Sequence, residues 1–320
     1  MAIPDRLTRG LRLPAIGAPM FIVSNPALVI AQCTAGIIGT FPSLNPRAPE
    51  RLDGWLEEIT GALAAHDASH PDQPAAPYAV NLIVHRSNPR LMEDLAICAR
   101  FKVPLIITSL GANEEVTAAV HGWGGLVFHD VINQRFAHKA VEKGADGLIL
   151  VAAGAGGHAG ALSPFALVAE TRRWFDGPVA VSGAIATGAG ILAAQAMGGD
   201  FAYIGSPFIA TDEARASEAY KQGIVEGSAA DIVYSNYFTG VRGNYLRASI
   251  IAQGLDPDAL PESDPSAMDF TKATGAKAWR DIWGAGQGIG AVQDILPAGR
   301  LIARLADEYA AARARLCKAP

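Results

Sequence analysis

The residues of this chain best suited to chemistry lie in the run Ala152-Ala153-Gly154-Ala155-Gly156-Gly157-His158-Ala159-Gly160. Residues without a Cβ let the main chain come close to a ligand, and the run then presents a single imidazole. An imidazole titrates near neutrality, so His158 suits a general base or acid, with Gly156 and Gly157 leaving room for a ligand beside it. The competing reading is a histidine that only caps the following helix.

Two further runs suit an anion. Ser182-Gly183-Ala184-Ile185-Ala186-Thr187-Gly188 and Gly205-Ser206-Pro207-Phe208 each join small residues to the start of a helix. Bare backbone amides at such a place bind phosphate, and the pair is more specific than either run alone. Ala18-Pro19-Met20 admits a flat ligand or makes a tight turn. Asn81 stands among apolar neighbours, and a buried amide must find partners, either within the protein or on a ligand with complementary edges. Phe128-His129-Asp130 ends another apolar run with a titratable pair facing the pocket, which makes His129 a candidate cofactor contact; Asp130 equally orients His129 or caps the next helix.

The elements that must position these residues follow a regular alternation of short apolar runs, turns and amphipathic stretches. Strands are predicted at Ala15 to Met20, Gly36 to Phe41, Tyr78 to Val84, Pro104 to Leu110, Gly125 to Val131, Gly147 to Gly154, Pro178 to Ile185 and Phe201 to Phe208. Eight such units make an α/β fold, a (β/α)8 TIM barrel, and every candidate above then falls at a strand's C-terminal end, where barrels place their active sites. The stretches Ala140 to Gly147 and Ala194 to Phe201 share a spacing and read as repeated units. Ser24-Asn25-Pro26 supplies a helix cap, and Ser69 to Pro77 a surface loop. After the eighth strand the rhythm fails. Residues 212–290 are expected to be a mostly helical or irregular insertion covering the substrate, with an acidic stretch at Asp256 to Asp269. A final helix at Pro297 to Leu316 returns to the barrel, which then comprises residues 1–211 and 291–320.

Composition removes other classes. Twenty-six basic against thirty-one acidic side chains, without a dense basic block, argue against nucleic acid. The apolar runs are short and the N-terminus has no signal-like pattern, so a cytoplasmic protein outside the membrane is expected. Cys33, Cys98 and Cys317 are too scattered for a metal site or redox pair.

Ala18-Pro19-Met20, Val80-Asn81, the glycine-histidine run, Val181 to Ile185, Ile204 to Phe208 and the late Trp283-Gly-Ala-Gly-Gln287-Gly288 together resemble the nitronate monooxygenase family, which also contains flavin-dependent enoyl-thioester and quinone reductases. The resemblance runs through nearly the whole chain. It implies an FMN across the barrel mouth, its phosphate on Gly183, Gly205 and Ser206, its ring near Met20 and Asn81, Gln287 lining the pocket and His158 as catalytic histidine. It implies oxidation of an alkyl nitronate by O2 to a carbonyl compound and nitrite, with His158 removing the α-proton of a neutral nitroalkane. The alternative within the family is an NAD(P)H-dependent reductase of a quinone or enoyl thioester. Val151 and Gly154 stand where many members carry Gln and Glu, Ala184 replaces a glycine, and Asp130 replaces a lysine of some relatives. Those departures keep a non-catalytic flavin-binding protein as a third reading.

Overall fold

The computed structural model describes residues 3–47, 50–263 and 279–318. Eight parallel strands form one sheet: β1 (Ala15–Gly17), β2 (Gly39–Pro42), β3 (Tyr78–Ile83), β4 (Leu105–Ser109), β5 (Leu126–Val131), β6 (Gly147–Val151), β8 (Val179–Ser182) and β9 (Phe201–Ile204). Their order is β1-β9-β8-β6-β5-β4-β3-β2. The remaining gap is closed where Gly17 N donates to Ile38 O at 2.8 Å and Ile38 N to Ala15 O at 3.1 Å. The expected TIM barrel is present, each strand within the run assigned to it except β2, which starts three residues later than expected and runs one residue past Phe41 to Pro42.

Alternation along the strands decides what enters the barrel. Ile16, Ile38, Ala79, Ile107, Phe128 and Ile149 fill its interior, whereas Val80, Ile106 and Val127 pack outward on the helices. Phe128 and Phe201 meet across the interior with ring centroids 6.5 Å apart; burying each is worth about 1.5–3 kcal/mol. Continuing the inward parity to the upper rim brings Ala18, Asn81, Ser109, Asp130, Val151, Ser182 and Tyr203 to the mouth.

The repeated Ala-Asp-Gly and Gly-Asp-Phe joints have a shared physical cause. Asp146, just before β6, accepts the Val127 N–H of β5 at 2.8 Å. Asp200, just before β9, does the same for Val179 of β8 at 2.8 Å. Each carboxylate satisfies a strand-end donor that the ladder leaves over. Asn25 caps α2 (Pro26–Thr34), its side chain accepting from Leu28 N at 3.2 Å. The final helix α12 (Ala298–Cys317) packs on α2 and on α8 (Gly188–Ala196), where Glu308 accepts the Gly188 N–H at 2.8 Å.

The stretch after β9 contains α10 (Glu218–Glu226) and α11 (Arg247–Ala252), and also an unforeseen hairpin of β10 (Ile232–Ser235) and β11 (Gly243–Leu246). β11 pairs antiparallel with a two-residue strand β7 (Gly157–His158). The insertion is thus hydrogen-bonded to the glycine-histidine run. Of the acidic stretch, residues 264–269 lie outside the described residues. Cys33 and Cys98 are buried thiols and Cys317 is exposed. Among the described residues no helix is long and apolar enough to cross a membrane.

Candidate active site

The loop after β6 is fastened from two sides. On one, His158 pairs with Gly243 and Gly157 with Asn244, Ala159 N donates to Arg242 O at 3.2 Å, and buried Asn244 donates from Nδ2 to Ala155 O at 2.6 Å. On the other, the Gly154 carbonyl accepts from Ala184 N at 3.2 Å and from Gln287 N at 2.9 Å. Gly154 sits at φ +83, and a Cβ there would lie 3.0 Å from Gln287 Oε1. Both facts disfavour, in this conformation, the glutamate that the resemblance leads one to expect here. Exposed Gly156 backs directly onto Ala285 and Gly286, so its small size serves first the contact between two protein loops.

His158 is therefore held by the insertion. Its Nε2 lies 2.9 Å from Thr239 Oγ1, and that hydroxyl donates to Val241 O at 3.0 Å. With the Thr239 proton directed to Val241 O, the tautomer that fits this bond carries its proton on Nε2. Trp279 meets the imidazole edge-on, with centroids 5.2 Å apart, and Tyr245 lies 5.6 Å from Trp279. Desolvation by this wall lowers the His158 pKa from 6.5 to about 4, although the residue as a whole is only part-buried. The ring is neutral at pH 7, the state a base requires. Sequence reasoning missed Thr239, Tyr245 and Asn244. The β-rich alternation of Ile232 to Ser235 and Gly243 to Leu246 was the available signal.

At the other strand exits, the β8 and β9 ladders end at Ser182 and Ile204, so Gly183 and Gly205 lie just beyond them. Ala184 adopts φ +53, a left-handed conformation that costs a non-glycine residue about 1 kcal/mol. Gly205 faces Ala18 and Met20: a Cβ built on it would be 3.5 Å from Ala18 Cβ and 3.8 Å from Met20 Sδ. The two outer ends of the candidate set thus share one wall, into which Pro19 leads. Ser206 Oγ accepts from Gly286 N at 2.8 Å and ties this wall to the late glycine segment. Asn81 donates from Nδ2 to Ile107 O at 3.1 Å and to Ser109 Oγ at 2.7 Å. What it can still offer a ligand is its carbonyl oxygen, an acceptor.

His129 does not join this group. It has the outward parity of Val127 and Val131, is 5% exposed, and bonds Thr108 Oγ1 through Nδ1 at 2.7 Å. The mouth-facing member of the pair is Asp130, because it shares the parity of Leu126 and Phe128. Burial lowers the His129 pKa to about 4, below its ordinary 6.5, so its contribution to stability is complete above pH 6.5 and is lost as the pH falls through 4. The loss is about 3 kcal/mol. Asp130 works in the opposite sense, since burial raises it to about 6 and its neutral form is favoured at lower pH. His129→Asn should therefore flatten the fall in stability between pH 6.5 and 4, measured from urea midpoints. An unchanged slope would contradict this assignment.

Comparison with known proteins agrees with this geometry. Residues 65–308 match the family model described as nitronate monooxygenase. A nitronate monooxygenase of Paraburkholderia phytofirmans is 29% identical over 93% of this chain and 93% of its own length. The solved nitroalkane oxidase of Streptomyces ansochromogenes superposes with a TM-score of 0.78 and 26% identity over 97% of this chain and 99% of that one. FabK of Thermotoga maritima shares the fold, with a TM-score of 0.76 and 22% identity over 98% of this chain and 97% of its own. A family match over most of the chain, on a barrel that gathers His158 and the small-residue strand exits at one mouth, makes this protein a member of the nitronate monooxygenase family, an oxidoreductase.

Proposed function

We propose that the protein is an FMN-dependent enzyme that oxidises alkyl nitronates, transferring one oxygen atom from O2 per nitronate to give a carbonyl compound and nitrite. The observation that carries the reading is a neutral, desolvated imidazole fixed above a polar barrel mouth, in a chain of this family. The donor set fits FMN. Gly183, Gly205 and Ser206 would hold the phosphate through backbone amides beyond the strand ladders. Asn81 would accept from the flavin's imide N–H, while Met20, Ala18 and the rim residues Ala184 and Gln287 would border the ring. When bound, FMN supplies the one-electron chemistry that neither side chains nor O2 provide alone.

The chain's own part is to handle a proton and keep water away. His158 accepts the α-proton of a neutral nitroalkane, and Thr239, by binding Nε2–H, fixes the ring's orientation. A pKa near 4 makes a weak base by itself. The nitronate that forms beside it carries a negative charge, which favours the imidazolium and offsets that handicap. Trp279, Tyr245 and the β10–β11 hairpin form the dry side of the site; covering the substrate is the role we assign to the insertion. The test is an aerobic assay with propyl-2-nitronate. Nitrite formation with oxygen uptake is expected, and the absence of both removes the reading.

A further inference from the structure

A polar chain crosses three strand ends at the barrel mouth and has no part in the proton removal above. Asn81 on β3 donates to Ser109 Oγ at 2.7 Å, and Ser109 on β4 donates to Asp130 Oδ2 on β5 at 2.5 Å. The Leu110 N–H also faces this carboxyl, and Leu110 holds φ +61, a strained conformation of the kind that clusters at ligand sites. Tyr203 of β9 is the titratable group that faces Asp130. Beyond it, β3 and β4 bring only the Asn81 amide and the Ser109 hydroxyl, and β6 brings the aliphatic Val151. His129 points the other way, and no lysine or arginine among the described residues acts on the carboxyl.

The direction of donation decides what this chain can present to a ligand. Asn81 has committed both N–H groups, to Ile107 O and Ser109. Ser109 has committed its one proton to Asp130. Any proton offered into the mouth from these three residues must therefore be carried by Asp130. We propose that Asp130 contacts the substrate as a neutral carboxylic acid, hydrogen-bonding an anionic oxygen of the nitronate, with Ser109 the positioning residue that holds its other oxygen. The proposal rests on the nitronate reading. No bond to carbon or nitrogen changes in this contact, and the proton stays on Asp130. Burial supports it, because the carboxyl is raised to about 6 and an adjacent anion raises it further.

Nitrate, a planar oxyanion that is not turned over, serves as the probe on flavin-loaded protein. Its affinity should fall about tenfold per pH unit above 6, with proton uptake on binding that approaches one per nitrate at pH 8, read with an indicator dye in weak buffer. Asp130→Asn keeps a donor but cannot titrate, so it should bind nitrate with a Kd independent of pH between 5 and 8 and take up no proton. Ser109→Ala removes a bond that favours the charged form, so the break in affinity should move up by about one pH unit. This second variant carries the test if the first fails to fold. Failure to bind nitrate at pH 5, a flat profile in the unmodified protein, or the same break in Asp130→Asn would overturn the proposal. Because none of these readings needs turnover, proton-coupled nitrate binding by a protein that makes no nitrite would uphold the anion contact and remove the reaction. Nitrite production with pH-independent nitrate binding would remove Asp130 and keep the reaction.

Discussion

Replacing His158 with alanine should lower turnover of a neutral nitroalkane by roughly 10²- to 10⁴-fold, the range for losing a positioned general base, while a substrate supplied as the nitronate loses far less. The split follows from what the imidazole is asked to do. With neutral substrate it must take a proton in the transition state, and neither Thr239 nor Tyr245 is a good replacement: the first is a hydroxyl, and the second is raised to about 12 by burial. With pre-formed nitronate that step has already occurred in solution. The pH profile is informative in the same experiment. Because burial lowers His158 to about 4, the base is available at every pH above that value, and activity with neutral substrate should show no acidic limb near 6.5. Steady-state rates of the variant on both forms of one nitroalkane check the first claim. Equal losses on both would mean that His158 binds or shapes the site and does not move a proton.

Gly205→Leu should yield a folded protein that purifies without colour. Gly205 has φ −112 and ψ −65, open to any residue, and a Cβ there makes only ordinary contacts with Ala18 and Met20, so the barrel tolerates a side chain. What leucine removes is the space beyond the β9 ladder that the phosphate reading needs. Losing two charge-assisted hydrogen bonds, each about 1.5–3 kcal/mol, would weaken FMN binding by roughly 10²- to 10⁴-fold. Fluorescence titration of FMN into both proteins, stripped of flavin, measures it. A variant that stays yellow with unchanged affinity would place the phosphate elsewhere.

The barrel was legible because its evidence is repeated. Eight apolar runs at regular spacing, and the twin joints at Asp146 and Asp200, each point to the same unit, and the hydrogen bonds of the two aspartates to Val127 and Val179 explain why the joint recurs. Alternation within a strand was harder to use. Strands of a parallel barrel are apolar on both faces, so nothing local says whether His129 or Asp130 faces the mouth; the interior packing of Leu126 and Phe128 decides it. By the same parity Ser109 and Tyr203 reach the mouth, though neither stands out among its neighbours in sequence. The β10–β11 hairpin escaped because its partner, Gly157–His158, is two residues long and has no strand propensity of its own. Thr239 escaped with it, being joined to His158 only through that long-range pairing. The glycines at 154 and 156 were visible at once, but their cause was not. They let the late segment around Gly286 and Gln287 close against the loop.

Whether the flavin takes its electrons from nitronate is decided by anaerobic stopped-flow mixing of the yellow protein with propyl-2-nitronate and, separately, with NADH and NADPH. Flavin absorbance should change rapidly and saturably with nitronate and only slowly with either nicotinamide. Rapid bleaching by NADH or NADPH, with no response to nitronate, would contradict the nitronate reading and identify a reductase built on the same site.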